Sequence, residues 1–388
     1  MIYKPNTRRS KMKKFGIFVL CIALIAGFSS IATAKTLKIG TMSPLTGPYA
    51  QDGTYILQGV KTAVKAFEAS GGLAGFDKIE ILAEDSACDG GKATMAANKL
   101  INSDVSAIIG CYCSSATLPS SIPVEEAGIV MLTPASTNEK ITERGFKNFF
   151  RLPPRDDVQG WSAVKFMENA LKAKTVALID DRQTYTVGLV DNIKKFAKEA
   201  GKLEFVAHEH ITPGDKDFTA ILTSLKRLNP DVIYMAIYQP EGSLMARQVK
   251  QLEITSTLLT EDACYQPKFI EVGGKATEGI YLTFAAPVED NPVRSDFVKA
   301  YSKDWGVGEN EIGSFSFFAY DATMLVLNGI KKSGVKNLAE TIRATKSLGA
   351  TGSIEFNEKG DRALAHAVWI VKDGAFVPYY NPLTDTMY

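Results

Sequence analysis

The sequence predicts an α/β protein of two doubly wound, Rossmann-like lobes, each built around a parallel sheet. Apolar runs of strand length alternate with amphipathic helical runs along most of the chain. The apolar runs are nearly continuous, which is typical of parallel strands covered by helices on both faces. The alternation comes in two series, separated by a break at Pro153-Pro154 in "RLPPRDDVQGW". The length of the chain also suggests roughly two domains.

The individual elements follow from this alternation. The strand-like segments are 37–42, 78–85, 105–110 and 128–133 in the first series, and 175–181, 231–238, 255–262 and 279–286 in the second. The helical segments are 55–70, 92–103, 188–200 and 217–228. After about residue 285 a long helical segment at 314–332 is expected to return to the first lobe, and the segment 352–379 is strand-like.

The first 34 residues have the layout of a secretory signal peptide. Basic residues precede the apolar run "FGIFVLCIALIAGF" (15–28), and small residues follow up to Ala34, near which cleavage is expected. A membrane anchor is the alternative, but 14 apolar residues fall short of the ~20 that span a bilayer. Met12 would serve equally well as the initiator. The mature chain is therefore expected to be exported.

Charge and cysteine content restrict the function further. Removing residues 1–34 takes away six of the 44 Lys and Arg residues and none of the 43 Asp and Glu residues, which leaves a net charge of −5. This balance gives no electrostatic reason to expect a nucleic-acid partner. Cys88, Cys111, Cys113 and Cys264 remain, and an even count in an exported chain is typical of disulfides.

Small and hydroxyl-bearing residues follow two strands of the first series. Ser114 and Ser115 come after the strand at 105–110, and Ala135 to Thr137 come after the strand at 128–133. Ligands of open parallel sheets bind beyond the carboxyl ends of the strands. Helix N-termini hold anions there, and hydroxyls both donate and accept. Simple helix capping by Ser114 and Thr137 is the alternative.

The strand ends of the second series carry Tyr185, Tyr238 and Glu261. Each alone is compatible with packing or with a solvated surface position. Opposite the hydroxyls, however, they would complement a zwitterion. The hydroxyls and helix N–H groups would bind an α-carboxylate, while Glu261, Thr137 and a carbonyl would bind an α-ammonium.

Several motifs together resemble a known family. They are "LTGPYAQDG", "DSACDGGKA", "GCYCSSAT", "MLTPAST", "FRLPPRDDVQG" and "GDKDF". In joint spacing they are similar to the leucine/isoleucine/valine-binding proteins, which are type I periplasmic substrate-binding proteins of ABC transporters. The resemblance extends over nearly the whole mature chain and is strongest from 35 to 240.

The resemblance implies two lobes that are joined by a three-stranded hinge and close on an amino acid. The first lobe would comprise 35–155 and about 285–354, and the second 156–284 and about 355–388. It implies a periplasmic monomer without cofactor, catalytic residues or metal, whose partners are the amino acid and the membrane permease subunits of the transporter. The preferred ligand would be a branched-chain or related aliphatic amino acid.

The same resemblance implies roles for single residues. Ser114 matches the serine that binds the carboxylate, and Ala135 and Thr137 match further ligand contacts. Tyr185, Tyr238 and Glu261 match residues of the closing lobe, with Glu261 as the partner of the ammonium group. Cys88 and Cys113 match a family disulfide. Cys111 and Cys264 have no counterpart, and a second bridge between them is left open.

One position departs from the family. Asp52 stands where an aromatic residue usually lines the side-chain pocket, and Tyr49 lies three residues before it. Burying an unpaired carboxylate beside an alkyl group is costly. Either Tyr49 fills the pocket while Asp52 points outward, or the ligand is not aliphatic: a polar amino acid, short amide, polyamine or aromatic acid.

An α/β enzyme is the competing functional class, since doubly wound sheets host many reactions. The sequence has no nucleophile-elbow, Walker or dinucleotide-binding motif. His208 and His210 alternate onto one face of a predicted strand, but without a third ligand they are expected to be surface residues. Asp180-Asp181 is expected at a strand end, in a capping or hinge role.

Overall fold

The computed structural model describes residues 1–3 and 35–388. The predicted signal peptide, with Cys21 and Ala34, lies outside the described residues apart from its first three positions. Within these ranges, no helix combines the length and the apolarity that crossing a membrane requires.

The first lobe is built on a five-stranded sheet in which every strand pair is parallel, in the order β2-β1-β3-β4-β5. Its strands are β1 (Thr36–Ser43), β2 (Lys78–Asp85), β3 (Ala107–Gly110), β4 (Val130–Thr133) and β5 (Phe149–Arg151). The helices between them are α1 (Ala50–Ala69), α2 (Gly90–Asn102) and α3 (Ser114–Glu126). Every residue of β3 and β4 is buried, as expected for strands covered on both faces.

The second lobe is built on an eight-stranded sheet in the order β15-β14-β13-β10-β9-β8-β6-β7. Its parallel strands are β6 (Thr175–Asp180), β7 (Glu204–His210), β8 (Val232–Ala236), β9 (Thr257–Thr260) and β10 (Tyr281–Ala285). A separate hairpin contains β11 (Lys346–Gly349) and β12 (Gly352–Glu355), and the antiparallel strands at the sheet edge are β13 (His366–Lys372), β14 (Ala375–Asn381) and β15 (Thr386–Met387). The helices are α4 (Asp156–Lys165), α5 (Thr184–Ala200), α6 (Thr219–Leu228), α7 (Gln239–Gln251) and α8 (Pro267–Gly273).

Later helices return to the first lobe. They are α9 (Pro292–Trp305), α10 (Ser314–Ser333) and the short α11 (Leu338–Arg343). Tyr301 Oη on α9 donates to Gln58 Oε1 at 2.6 Å, and Ser316 Oγ on α10 donates to the carbonyl of Tyr55 at 2.9 Å. These bonds join both helices to α1.

The chain crosses between the sheets three times, after β5, after β10 and between β12 and β13. The first and third crossings are linked by a parallel bridge between Arg151 and Asp361. The predicted α/β fold with two parallel sheets is confirmed, with the addition of the antiparallel edge. The carboxyl ends of β3 and β4 face those of β8 and β9 across a narrow space.

Candidate functional site

The space between the lobes contains a cavity of about 10 Å³, which is roughly the room for one water molecule. We call it the interlobe cavity. The first lobe contributes the side chains after β3 and β4 and one from α10, and the second lobe contributes those after β6, β8 and β9. The lining residues are Tyr112, Ser114, Ala135, Thr137, Tyr185, Tyr238, Asp262, Ala263 and Phe315.

The first-lobe wall presents a helix N-terminus and hydroxyls. Ser114 is the first residue of α3, it is 1% exposed, and its Oγ accepts from the backbone N–H of Asn138 at 3.3 Å. Ahead of it, Gly110 has φ +151°, and a Cβ there would lie 2.2 Å from the carbonyl oxygen of Met42. Only glycine therefore allows β3 to end this close to β1. Ala135 and Thr137 are buried on the neighbouring loop.

A fully buried arginine holds this loop in position. Arg151 donates from Nη1 to the carbonyls of Thr137 and Asn138, at 2.8 and 2.7 Å. Its Nη2 lies 2.6 Å from Oδ1 of Asp361, and both side chains are essentially excluded from solvent. Arg151 therefore fixes the position of Thr137, and Arg151 is itself held by Asp361, which comes much later in the chain.

The second-lobe wall is acidic. Tyr185 Oη lies 2.6 Å from Oε2 of Glu261 and 2.9 Å from Oδ1 of Asp262. The single hydroxyl proton of Tyr185 is shared by the two carboxyl groups. A second proton or a cation is therefore needed to offset the repulsion between them. Glu261 Oε2 also accepts from the N–H of Ala263 at 2.6 Å. Glu261 is 0% exposed and lies behind the lining residues, whereas Asp262 reaches the cavity.

Burial raises the pKa of three carboxyl groups in this region. The pKa of Asp262 is raised to about 7, and that of Glu261 is raised well above its usual value by burial and by the charge of Asp262. Burial and the charge of Asp262 likewise raise the pKa of Asp156. An ammonium group entering the cavity would stabilise the ionised forms of these groups.

Polar bonds also join the two lobes around the cavity. Gln183 Nε2 donates to Tyr49 Oη at 2.8 Å, and Asn138 Nδ2 donates to the carbonyl of Thr184 at 3.2 Å. The rings of Tyr49 and Tyr238 lie 4.7 Å apart. The lobes are therefore in contact, and a ligand larger than water needs them to separate or their side chains to rearrange.

The structure brings most of the predicted site residues together. Ser114, Ala135, Thr137, Tyr185 and Tyr238 line one cavity, and Glu261 lies behind it. Tyr49 and Asp52 do not line it. Of the two alternatives left open for Asp52, the one in which it points outward is wrong, since Asp52 is 3% exposed, and burial raises its pKa to about 7. It has no ion pair among the described residues.

The substitution Asp52→Asn is expected to stabilise the protein at about pH 8 by roughly 1–2 kcal/mol and to have little effect at about pH 4. The folded pKa lies above the unfolded one, so the contribution of Asp52 to stability is lost as the pH rises through about 7. Asparagine does not ionise, so the variant does not lose stability as the pH rises. Its amide still has to be desolvated on folding, which limits the gain. Urea unfolding at both pH values measures the effect. The exposed Asp296→Asn is the control, and an equal change at both pH values would contradict the prediction.

The cysteines divide into one bridge and two thiols. Cys88 and Cys113 form the predicted disulfide, with their Cα atoms 5.3 Å apart. Because Cys113 is the residue before α3, the bridge fixes the start of the helix that carries Ser114. Cys111 and Cys264 are buried free thiols, so the second bridge left open by the sequence is not formed. Each has a partner in its own lobe, Ser120 Oγ and the Ile237 carbonyl respectively.

The two histidines of β7 meet a residue that sequence reasoning did not connect with them. Asp180 lies at the end of β6 directly opposite His210, and its carboxylate contacts His208 Nε2 at 2.6 Å and His210 Nδ1 at 2.8 Å. The three could offer ligand atoms to a metal ion. Lys194 Nζ lies 2.8 Å from Nδ1 of His208, so a cation already occupies that side of the ring.

Four lining residues were missed by sequence reasoning. Tyr112, Asp262 and Ala263 stand beside predicted residues at the ends of β3 and β9, so the strand-end argument could have included them. Phe315 comes from α10, far along the chain, and no local pattern connects it with the other residues.

Comparison with known proteins gives one family and a consistent set of relatives. A sequence model described as periplasmic binding protein matches residues 36–373. A leucine-, isoleucine-, valine-, threonine- and alanine-binding protein of Pseudomonas aeruginosa is 34% identical over 87% of this chain and 90% of its own length. The Leu/Ile/Val-binding protein of Escherichia coli is 30% identical over 88% of this chain and 91% of its own.

Solved structures agree with this result. A leucine-binding protein of Thermotoga maritima is 33% identical with a TM-score of 0.79, covering 88% of this chain and 97% of its own. A branched-chain amino acid transporter substrate-binding protein of Streptococcus pneumoniae, in complex with isoleucine, is 26% identical with a TM-score of 0.80. It covers 89% of this chain and 100% of its own.

Proposed function

Since the chain belongs to the periplasmic binding protein family, we propose that it is the solute-binding component of an ABC importer and captures an amino acid between its lobes. The resemblance to leucine/isoleucine/valine-binding proteins is confirmed by these comparisons. The relatives are binding proteins by name. A branched-chain or related aliphatic amino acid is the proposed ligand.

One observation carries this proposal: the two walls of the interlobe cavity prefer opposite charges. On the first-lobe side, the start of α3, Ser114 and Thr137 offer donors to a carboxylate. On the second-lobe side, Asp262 lines the cavity and Glu261 lies behind it, and both are buried carboxyl groups that a cation would stabilise. An α-amino acid carries these two charges on neighbouring atoms, so it can satisfy both walls at once.

Binding is proposed to proceed by hinge closure. A ligand would first contact Ser114, Ala135 and Thr137 of the first lobe and then recruit Tyr185, Tyr238 and Glu261 of the second. Closure is favoured by as much as the ligand prefers the closed form. The proposed boundaries are 35–155 with about 285–354 for the first lobe, and 156–284 with about 355–388 for the second; the division of strands between the sheets supports them.

Several finer points belong to the same proposal. The protein is proposed to be exported to the periplasm after cleavage near Ala34, to act as a monomer and to deliver its ligand to membrane permease subunits. Tyr112, Tyr238 and Phe315 line the interlobe cavity and would contact the ligand once the lobes have separated to admit it. The name of the Pseudomonas relative includes threonine and alanine beside the three branched-chain amino acids, so both are worth testing as ligands.

A thermal-shift screen tests the proposal. Leucine, isoleucine, valine, alanine and threonine are compared with short amides, polyamines and aromatic acids. We expect at least one aliphatic amino acid to stabilise the protein by about 2–4 kcal/mol when present at 100–1,000 times its dissociation constant. The matching decarboxylated amines, such as isobutylamine for valine, should give no shift. Stabilisation by a non-zwitterion alone would contradict amino-acid binding, and turnover would indicate an enzyme.

A further inference from the structure

A second, larger cavity lies beside the crossings between the lobes. Its volume is about 600 Å³, within the ~300–1,000 Å³ typical of sites for small organic ligands. We call it the hinge cavity. The aromatic residues in its lining are Tyr265, Phe284, Phe317, Phe318, Trp369 and Phe376. No lining residue is shared with the interlobe cavity. The two cavities are therefore separate.

The wall of the hinge cavity is a preformed aromatic surface. The ring of Tyr265 is stacked on Phe284 with centroids 4.1 Å apart and on Phe376 with centroids 4.3 Å apart. Trp369 approaches Tyr265 edge-on at 5.0 Å, and its indole N–H is engaged by the carbonyl of Ala285. The indole needs no polar partner from a ligand. A flat aromatic ring would extend these contacts.

One cation in this wall has no carboxylate partner. Arg294 on α9 has its guanidinium 4.4 Å from the ring centroid of Phe317. Its side chain forms no ion pair or hydrogen bond with the residues that the structure describes. A guanidinium on an aromatic face keeps its in-plane donors free, and these match a carboxylate in a bidentate fashion.

The rim of the cavity limits the charge of a ligand. Glu271 is paired with Lys268 at 2.5 Å, and Glu311 accepts from the N–H of Gly308 at 2.6 Å. Glu309 is exposed to solvent and is therefore screened. One negative charge can be matched by Arg294, but a second would face these glutamates. The lining thus favours a monoanion.

We propose that the hinge cavity is a second ligand site, which binds a small aromatic monocarboxylate with its ring against the aromatic wall and its carboxylate on Arg294. The site does not depend on the interlobe cavity for any contact. The two are adjacent, however, since Ser314 lines one and Phe315 lines the other. Ser314 Oγ donates to the carbonyl of Tyr265 at 2.6 Å, across the lobes. Occupancy of either cavity should therefore affect the other reciprocally.

Calorimetric titration of the purified protein with 1-naphthoate tests the proposal. We expect saturable binding at one site. Arg294→Gln should weaken it by about tenfold or more, because the charge-assisted contact is lost. The control Arg247→Gln, at an exposed position on α7, should bind as the parent does. Uncharged 1-naphthalenemethanol should bind the parent and Arg294→Gln equally.

Two further variants identify the cavity that is occupied. Ala375→Trp fills the hinge cavity and should abolish 1-naphthoate binding while amino-acid binding remains. Ser114→Ala should weaken amino-acid binding and leave 1-naphthoate binding intact. Loss of 1-naphthoate binding in Ser114→Ala with retention in Arg294→Gln would show that the acid occupies the interlobe cavity instead. Occupancy of the interlobe cavity would overturn the proposal. So would equal binding of 1-naphthoate by Arg294→Gln and the parent, or the absence of binding to the parent. Failure of the amino-acid screen alone would leave it standing.

Discussion

Replacement of Arg151 by methionine is expected to lower the free energy of unfolding by about 3–5 kcal/mol. The side chain of Arg151 is 0% exposed and that of Asp361 is 3% exposed. Removing one partner of a buried ion pair leaves the other charge with less compensation. Arg155 still contacts Asp361 through Nη1 at 2.8 Å, but it makes no hydrogen bond to the carbonyls of Thr137 and Asn138 that Arg151 contacts. These carbonyls would lose a charged donor.

Urea unfolding followed by circular dichroism measures this effect. Arg227→Met, at an exposed position in the last turn of α6, is the matched control and should change stability by less than about 0.5 kcal/mol. A loss below about 1 kcal/mol in Arg151→Met would mean that Arg151 is not the anchor of the Thr137 loop.

Replacement of Glu261 by alanine is expected to weaken amino-acid binding by about 2 kcal/mol or more, which is roughly thirtyfold in the dissociation constant. Glu261 is fully buried, and its carboxylate shares the hydroxyl of Tyr185 with Asp262. In the free protein burial raises the pKa of Glu261. The substitution also removes the acceptor of the Ala263 N–H and one acceptor of the Tyr185 hydroxyl, which is expected to cost about 1–3 kcal/mol of fold stability. The loss of binding is a separate effect, because an ammonium group compensates the carboxylate only in the bound state.

Titration calorimetry with the amino acid that gives the largest thermal shift measures this loss. The control is Glu204→Ala, at an exposed position at the start of β7 in the same lobe. The isosteric Glu261→Gln separates charge from shape. If Glu261→Ala bound the ligand within about threefold of the parent, the acidic wall would not be the ammonium site.

The parts of the fold that sequence reasoning predicted well are those with a continuous local pattern. The strand predicted at 37–42 corresponds to β1, and 78–85 is reproduced as β2. Both are long parallel strands whose apolar runs have clear ends. The long helix predicted at 314–332 is α10, Ser314–Ser333. In these elements local propensity and burial agree.

Sequence reasoning gave no bounds for other elements, because their stability comes from contacts that no local pattern reveals. Helix α3 contains Pro119 and Pro123 and buries a face of small hydroxyl residues. The hydroxyls of Ser120 and Ser121 donate to carbonyls one turn earlier, which lets polar side chains lie in the interior. An interpretation based on periodicity treats Ser and Thr as polar and therefore predicts that such a face is exposed.

The candidate site shows the same limit. The strand-end argument identified Ser114, Thr137 and Tyr185 because topology alone brings these positions together. It could not indicate the side-chain direction of Asp52, which depends on how α1 packs. It also could not find Phe315, since that residue reaches the cavity only through the return of α10 to the first lobe.

The return of α9 and α10 to the first lobe, together with the addition of β13 to β15 to the second, affects the order in which the protein can fold. Neither lobe is complete until the last hundred or so residues have been synthesised. A nascent chain that ends near β10 would lack the helices that cover α1 and the edge strands of the larger sheet. Late completion keeps such a chain loosely structured for longer, as expected when contacts are distant in sequence. A polypeptide that must thread through a translocation channel before it folds would benefit from this delay.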